Sequence, residues 1–326
     1  MPTITAVTDD IYQIQIPLPF ALRIVNCYLL HGDDGWTVVD TGLNTAAARE
    51  AWAAAFSELH ITPDAIQQIV LTHTHPDHYG LAGWFCQQSP HPLPVYLSPE
   101  EDHAARTIWG TDLLLSDTYR DFWHNLGIPA DLAANLMQAT NDTRLQTFPH
   151  PATHSLIYPD TAVRLGNRLM RTIHTPGHSD GQLMFYDEAD QLLLCGDHVL
   201  GKITPNISLW PGAMPNPLGA YLASLAELSH LPVRLALPGH GPLLTDWYGR
   251  IAQLTTHHAE RLTFIEQAIT KPMTIFAISQ TLFNHSRLSL HEMRFAATET
   301  WAHVRYLLEN GRLHSTSTTP WHITKP

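Results

Sequence analysis

Lysine is nearly missing from this chain. Only three of its 326 residues are lysine, and lysine and arginine together number 18 against 30 aspartates and glutamates, a formal net charge of -12. A protein that grips nucleic acid gathers cations into a patch that displaces counterions from phosphates, so no nucleic acid partner is expected. Cysteine is scarce too. Cys27, Cys86 and Cys195 are widely spaced, which argues against a disulfide framework or a CxxC metal knuckle, and they read as small buried hydrophobes. There is no apolar run of the roughly 18 residues that a membrane-crossing helix requires. The start, "MPTITAVTDDIYQIQIPLPF", has neither a basic n-region nor a clear cleavable apolar segment. The expectation is a cytoplasmic protein with no membrane partner. No internal repeat or low-complexity tract stands out.

What is present is a hydrophobic content of 44%, enough for one large core and a smaller second domain. Strands are expected at 11–18, 25–32, 36–42 and 65–72, with a capped helix at 44–59 between the last two. Further strands are expected at 156–160, 162–166, 169–175, 183–188, 191–197 and 233–239, and a helical block at about 99–146. Strands on both sides of a helical block point to an α/β sandwich. The texture changes near residue 246. Three helices, the first at about 247–270 and the last closed by Gly311, precede a β-like tail, which suggests a small winged-helix-like domain over 246–326 beside a larger one over 1–245.

The chain also carries 22 histidines, most of which must be structural. Four potential ligands crowd one place. In "VLTHTHPDHYG", His73, His75, Asp77 and His78 directly follow an apolar strand. An extended chain puts His73 and His75 on one side, while Asp77 and His78 follow at the turn into a helix. A divalent metal takes three or four donors, so two such clusters need help from distant sequence. Three candidates each follow a strand in a glycine-rich turn: His178 in "TPGHS", Asp197 in "CGDH" and His240 in "PGHG".

With "VVDTG" at Asp40, these motifs in this order resemble the metallo-β-lactamase-fold hydrolase superfamily, over roughly residues 10–245. The resemblance implies a four-layer αββα sandwich holding two divalent ions. It assigns His73, His75 and His178 to one ion and Asp77, His78 and His240 to the other, with Asp197 bridging. Asp40 is implied to support the ligands by hydrogen bonding, and His198 is a further candidate for that role. The implied reaction is hydrolysis by a metal-bridging hydroxide on a carbonyl carbon, with Asp77 orienting that hydroxide or accepting its proton. Histidine and carboxylate donors without thiolate suit zinc, the expected ion, and admit iron or manganese.

The C-terminal part resembles the extension of a superfamily branch that includes glyoxalase-II-like thioesterases and an endoribonuclease. Arg294, Arg305 and Arg312 are scattered among Glu292, Glu299 and Glu309 and form no basic stripe, so the ribonuclease is the alternative and a thioester, ester or lactone carbonyl the main expectation. The C-terminal part is expected to pack over the active site or to form a homodimer contact. About 100 residues separate His78 from His178. A structured connection of that length is usually functional. Its apolar side chains, including Trp109, Tyr119, Phe122 and Trp123, are expected to wall a lid over a pocket for an apolar acyl substrate, with Tyr79 a weaker candidate beside the metal ligands.

Overall fold

The computed structural model describes residues 3–316 and 318–326. Two sheets form its centre. The first has seven strands side by side: β1 (Ile4–Ala6), β2 (Ile11–Pro17), β3 (Ile24–Gly32), β4 (Gly35–Val39), β5 (Ile66–Val70), β6 (Val95–Leu97) and β7 (Ser155–Leu156). The second is built from β8 (Ala162–Leu165), β9 (Arg168–His174), β10 (Leu183–Asp187), β11 (Leu192–Gly196) and β12 (Leu235–Pro238), in the order β12-β11-β10-β9-β8.

Strand alternation decides what each face meets. Val39, Val70, Leu183, Phe185, Leu192, Leu194 and Leu237 turn inward and fill the space between the sheets. Their neighbours turn the other way. On the first sheet Ile14, Ile16, Val38 and Ile69 pack under helix α1 (Ala46–Glu58) through Trp52 and Ala55. On the second, Met184, Tyr186, Leu193, Cys195 and Ala236 pack against helices on the opposite side. The result is helix, sheet, sheet, helix.

Two short helices, α2 (Pro76–Tyr79) and α3 (Ala82–Gln88), follow β5. The helical block comprises α4 (Pro99–Ala104), a wide turn over Ala105–Trp109, α5 (Asp117–Asn125) and α6 (Ala130–Leu145). Helix α7 (Pro217–Leu228) was not anticipated, although Asn216 caps it by accepting from Gly219 N–H at 2.9 Å and Pro217 opens it. The strand expected at 156–160 is only β7, because Pro159 cannot donate to a ladder.

Helices α8 (Trp247–Ala268), α9 (Ile275–Leu282) and α10 (Leu290–Glu309) follow, with a three-stranded sheet made by β13 (Met273–Thr274), β14 (His314–Ser315) and β15 (His322–Thr324). Gly311, at φ 67, ends α10, with its N–H on Leu308 O and that of Arg312 on Leu307 O. These helices share one core with α5 to α7 and β10 to β12, through Trp247, Leu254, Ile265, Ala297 and Trp301. Among the described residues no helix is long and apolar enough to cross a membrane.

Candidate metal centre

The C-terminal ends of parallel strands and their neighbouring turns meet at one edge of the sandwich. β5 ends at Val70 and the chain runs extended through His73 to His75, where Pro76 starts α2 with Asp77 and His78 in its first turn. His178 follows β9, Asp197 follows β11 and His240 follows β12. Within each of three groups, His73 with His75 and His178, His73 with His78 and Asp197, and Asp77 with His78 and His240, the ligand atoms lie within 4.8 Å of one another. Asp197 faces several groups at once, 3.4 Å from His78 Nε2, 3.7 Å from His178 Nε2 and 3.3 Å from His240 Nε2. All seven residues singled out in the sequence are brought together.

The imidazoles are aimed by what holds their other nitrogen. His178 Nδ1–H donates to Asn206 O at 2.9 Å and His240 Nδ1–H to Ile24 O at 2.7 Å, so each Nε2 points into the cluster. Asp40 does the same for His78, whose Nδ1–H it accepts at 2.8 Å, and it also accepts Thr72 N–H and Thr72 Oγ1–H, each at 2.8 Å. Asp40 sits at φ 58, a left-handed conformation that short polar residues tolerate. Gly239 must be glycine. A Cβ there would lie 2.3 Å from Asp197 Oδ1 and 2.6 Å from His78 Cε1, which lets the turn carrying His240 close on the cluster.

Electrostatics and unmet hydrogen bonds test whether a cation fits. Burial lowers His73, His75 and His178, His75 to about 3, so these rings are neutral and offer lone pairs. Burial would lower His78 and His240 as well, but for His78 Asp197, Asp40 and Asp77 outweigh it, and for His240 Asp197 and Asp77 raise it to about 10. The buried carboxylates thus demand positive charge at this spot. Divalent ions would meet the same demand and displace those protons. Among the described residues His73 Nε2 makes no hydrogen bond, and His78 Nε2, His240 Nε2 and Asp197 Oδ1 approach one another or Asp77 only without well-directed hydrogen bonds, although such buried atoms are nearly always satisfied. The donor set fits divalent metal.

Three supports escaped the sequence reading. Glu101, in α4, accepts Thr74 N–H at 2.7 Å, Thr74 Oγ1–H at 2.5 Å and Gly181 N–H at 3.1 Å, tying the loop of His73 and His75 to the one after His178. In the sequence "SPEE" spells a capping box, in which the glutamate would turn back to the cap, and nothing local points it elsewhere. Asn26 and Tyr28, on β3, hold the turn of His240 through Pro238 O and Gly241 O.

A cavity of about 670 Å³ opens from His75, Asp77, His178, Asp197 and His240. Trp109, Leu113, Leu114 and Tyr119 of the helical block line it, together with Phe20 and Leu22 of the β2–β3 loop. Other expected pocket residues lie elsewhere. Trp123 is 1% exposed and packs edge-on to Trp210, and Phe122 packs on Trp123 at 5.0 Å, because α5 turns its apolar stripe into the core and only Tyr119 reaches the cavity. Tyr79 is 1% exposed and its hydroxyl meets His154 Nε2 at 3.3 Å, since the turn of α2 that points His78 inward points Tyr79 at α3 and α4. His198 packs against Tyr221 at 4.6 Å and forms no hydrogen bond to a ligand residue among the described residues.

Residues 21–240 match the model of the Metallo-beta-lactamase superfamily, and residues 262–319 match that of the Metallo-beta-lactamase-like, C-terminal domain. A metallo-beta-lactamase family protein from Thermus thermophilus is similar over 98% of this chain and 100% of its own, at 32% identity and a TM-score of 0.89. The Probable metallo-hydrolase YqjP of Bacillus subtilis (strain 168) is 27% identical over 92% of both chains. The Atrochrysone carboxyl ACP thioesterase of Aspergillus novofumigatus is 28% identical over 46% of this chain and 44% of its own. With the family model spanning the whole ligand set from the loop before β3 to His240, the chain belongs to the metallo-beta-lactamase superfamily of hydrolases.

Proposed function

We propose that this hydrolase cleaves the carbonyl–heteroatom bond of a small acyl substrate, a thioester foremost, with lactones and oxygen esters as chemical neighbours. The carrying observation is the cavity of about 670 Å³ that runs from the ligand cluster between apolar walls. The partial likeness to an acyl-carrier thioesterase points the same way. Two divalent ions, with zinc expected and iron or manganese suited to the same donors, would supply an activated water and polarise the carbonyl.

The chain's own residues do the rest. His73, His75 and His178 would hold one ion, and His78, His240 and Asp77 the other, with Asp197 between them. The Asp77 side chain is 19% exposed toward the cavity and can take the proton lost by the attacking water. Water adds across the bond: the acyl carbon gains its oxygen, and the thiol or alcohol leaves with a proton. Trp109, Leu113 and Leu114 hold the acyl chain and exclude bulk water. The unpaired cysteines fit the reducing cytoplasm we assign to it.

A panel of straight-chain acyl thioesters, lactones and oxygen esters, run on protein of measured metal content, tests the reading. Each methylene buried should raise kcat/KM by up to about fourfold, as about 0.8 kcal/mol allows. Failure to cleave any acyl substrate would overturn the proposal.

A further inference from the structure

Arg294 is the residue of this cavity that the reaction does not use. It projects from α10, is 5% exposed and lines the cavity. No carboxylate lies within ion-pair distance of it among the described residues. Its one recorded side-chain hydrogen bond there goes from Nη2 to His291 Nδ1 at 3.1 Å, and Nε is buried without a partner. The guanidinium rests over Phe295, 4.5 Å from the ring centre, and Phe20 stacks on His291 at 4.1 Å.

The carboxylates that line the cavity, the exposed Glu100 apart, are engaged elsewhere, Asp197 by His78 and His240. Glu101 holds Thr74, Glu292 holds Ser289, Asp180 accepts Met214 N–H, and Asp77 faces His240 at 3.2 Å. Glu100 is exposed to solvent. The Asp77 carboxylate acts on Arg294 only from beyond ion-pair distance, and a bound metal would claim that charge. A buried cation with no directly paired anion is costly, so its place in a substrate cavity calls for an anion from outside. A second donor stands nearby. Tyr119 on α5 lines the same cavity, its hydroxyl forms no hydrogen bond among the described residues, and the two groups are close enough to act on one another electrostatically.

We propose that Arg294 and the Tyr119 hydroxyl form a subsite for a carboxylate carried by the substrate, so that the preferred acyl group is apolar along its length and ends in a carboxylate. The inference rests on the acyl-hydrolase reading, which it deepens. One guanidinium carries one charge and matches a carboxylate. A phosphate dianion would leave a buried negative charge unmet, since no lysine lines the cavity.

The test uses binding, which needs no turnover. Metal-loaded wild type, Arg294→Gln, Arg294→Lys and Tyr119→Phe are titrated calorimetrically with α,ω-dicarboxylates of about four to eight carbons, their matched monocarboxylates and phenyl phosphate, the lengths spanning a cavity of this size. Metal ions can take one carboxylate of either acid, so the affinity ratio reports the second. At the best length the ratio should be about tenfold or more in the wild type, in line with a charge-assisted hydrogen bond. It should fall near one in Arg294→Gln, stay above one in Arg294→Lys and drop severalfold in Tyr119→Phe, a change too small to prevent folding. A wild-type ratio of one, a ratio unchanged in both Arg294→Gln and Tyr119→Phe, or preference for the phosphate ester would overturn the subsite. Thioester hydrolysis without such a ratio would leave the acyl reading standing. A ratio without hydrolysis would remove that reading and keep the anion site.

Discussion

Replacing Asp40 by asparagine changes almost no volume yet should weaken metal binding. Asp40 is 2% exposed and receives three donors, Thr72 N–H, Thr72 Oγ1–H and His78 Nδ1–H, at 2.8 Å each. In the Asp40→Asn variant the amide oxygen can take the place of Oδ1 and keep Thr72 N–H. The amide NH₂ must then face Thr72 Oγ1 and His78 Nδ1. The threonine hydroxyl can turn and accept. The imidazole can accept only by moving its proton to Nε2, the atom that points at Asp197 from 3.4 Å and is needed as a metal donor. Removing the partner that orients a ligating imidazole typically costs about 10- to 100-fold in metal affinity, or about 1.4–2.7 kcal/mol. Competition with a chelator of known affinity should therefore show one ion per chain bound as in the wild type and the other weaker by that factor. Both ions bound as tightly in Asp40→Asn as in the wild type would refute the proton-placement argument.

Wild-type protein should hold close to two ions by elemental analysis, and a reproducible value below one after reloading would count against a dinuclear centre. Asp77→Asn should lower kcat far more than it raises KM, because the lost carboxylate acts in the transition state; separate measurement of the two constants decides, and an unchanged kcat would remove Asp77 from the chemistry. Trp123→Ala should cost about 3–5 kcal/mol of folding stability by denaturant titration while keeping the acyl chain-length profile, whereas Trp109→Ala should flatten that profile. Binding to single-stranded RNA should be absent at moderate salt; a tight, steeply salt-dependent affinity would favour a nuclease instead.

Glu101 shows where sequence reasoning stops. Its neighbours spell a helix cap, and only the packing of α4 against the ligand loops turns the carboxylate to Thr74 and Gly181. Trp123 makes the same point in reverse: its stripe at helical spacing was legible, but whether such a stripe meets a cavity or a core depends on how α5 lies, and it lies with Trp123 against Trp210. Periodicity reports that a face is buried and is silent about what buries it.

By itself the sequence determined the alternating strands, the glycine turns and the donors at strand ends, because these are local matters of backbone freedom and side-chain period. His73, His75, Asp77 and His78 are adjacent in the chain, so their purpose could be read without any fold. The tertiary structure alone decided which distant groups complete them and surround them. It placed Arg294, more than fifty residues beyond His240, in the same cavity as Asp77, and among the described residues it set no carboxylate at ion-pair distance from that charge. Burial and the absence of a counter-ion are properties of everything packed around a residue, and no stretch of sequence contains them.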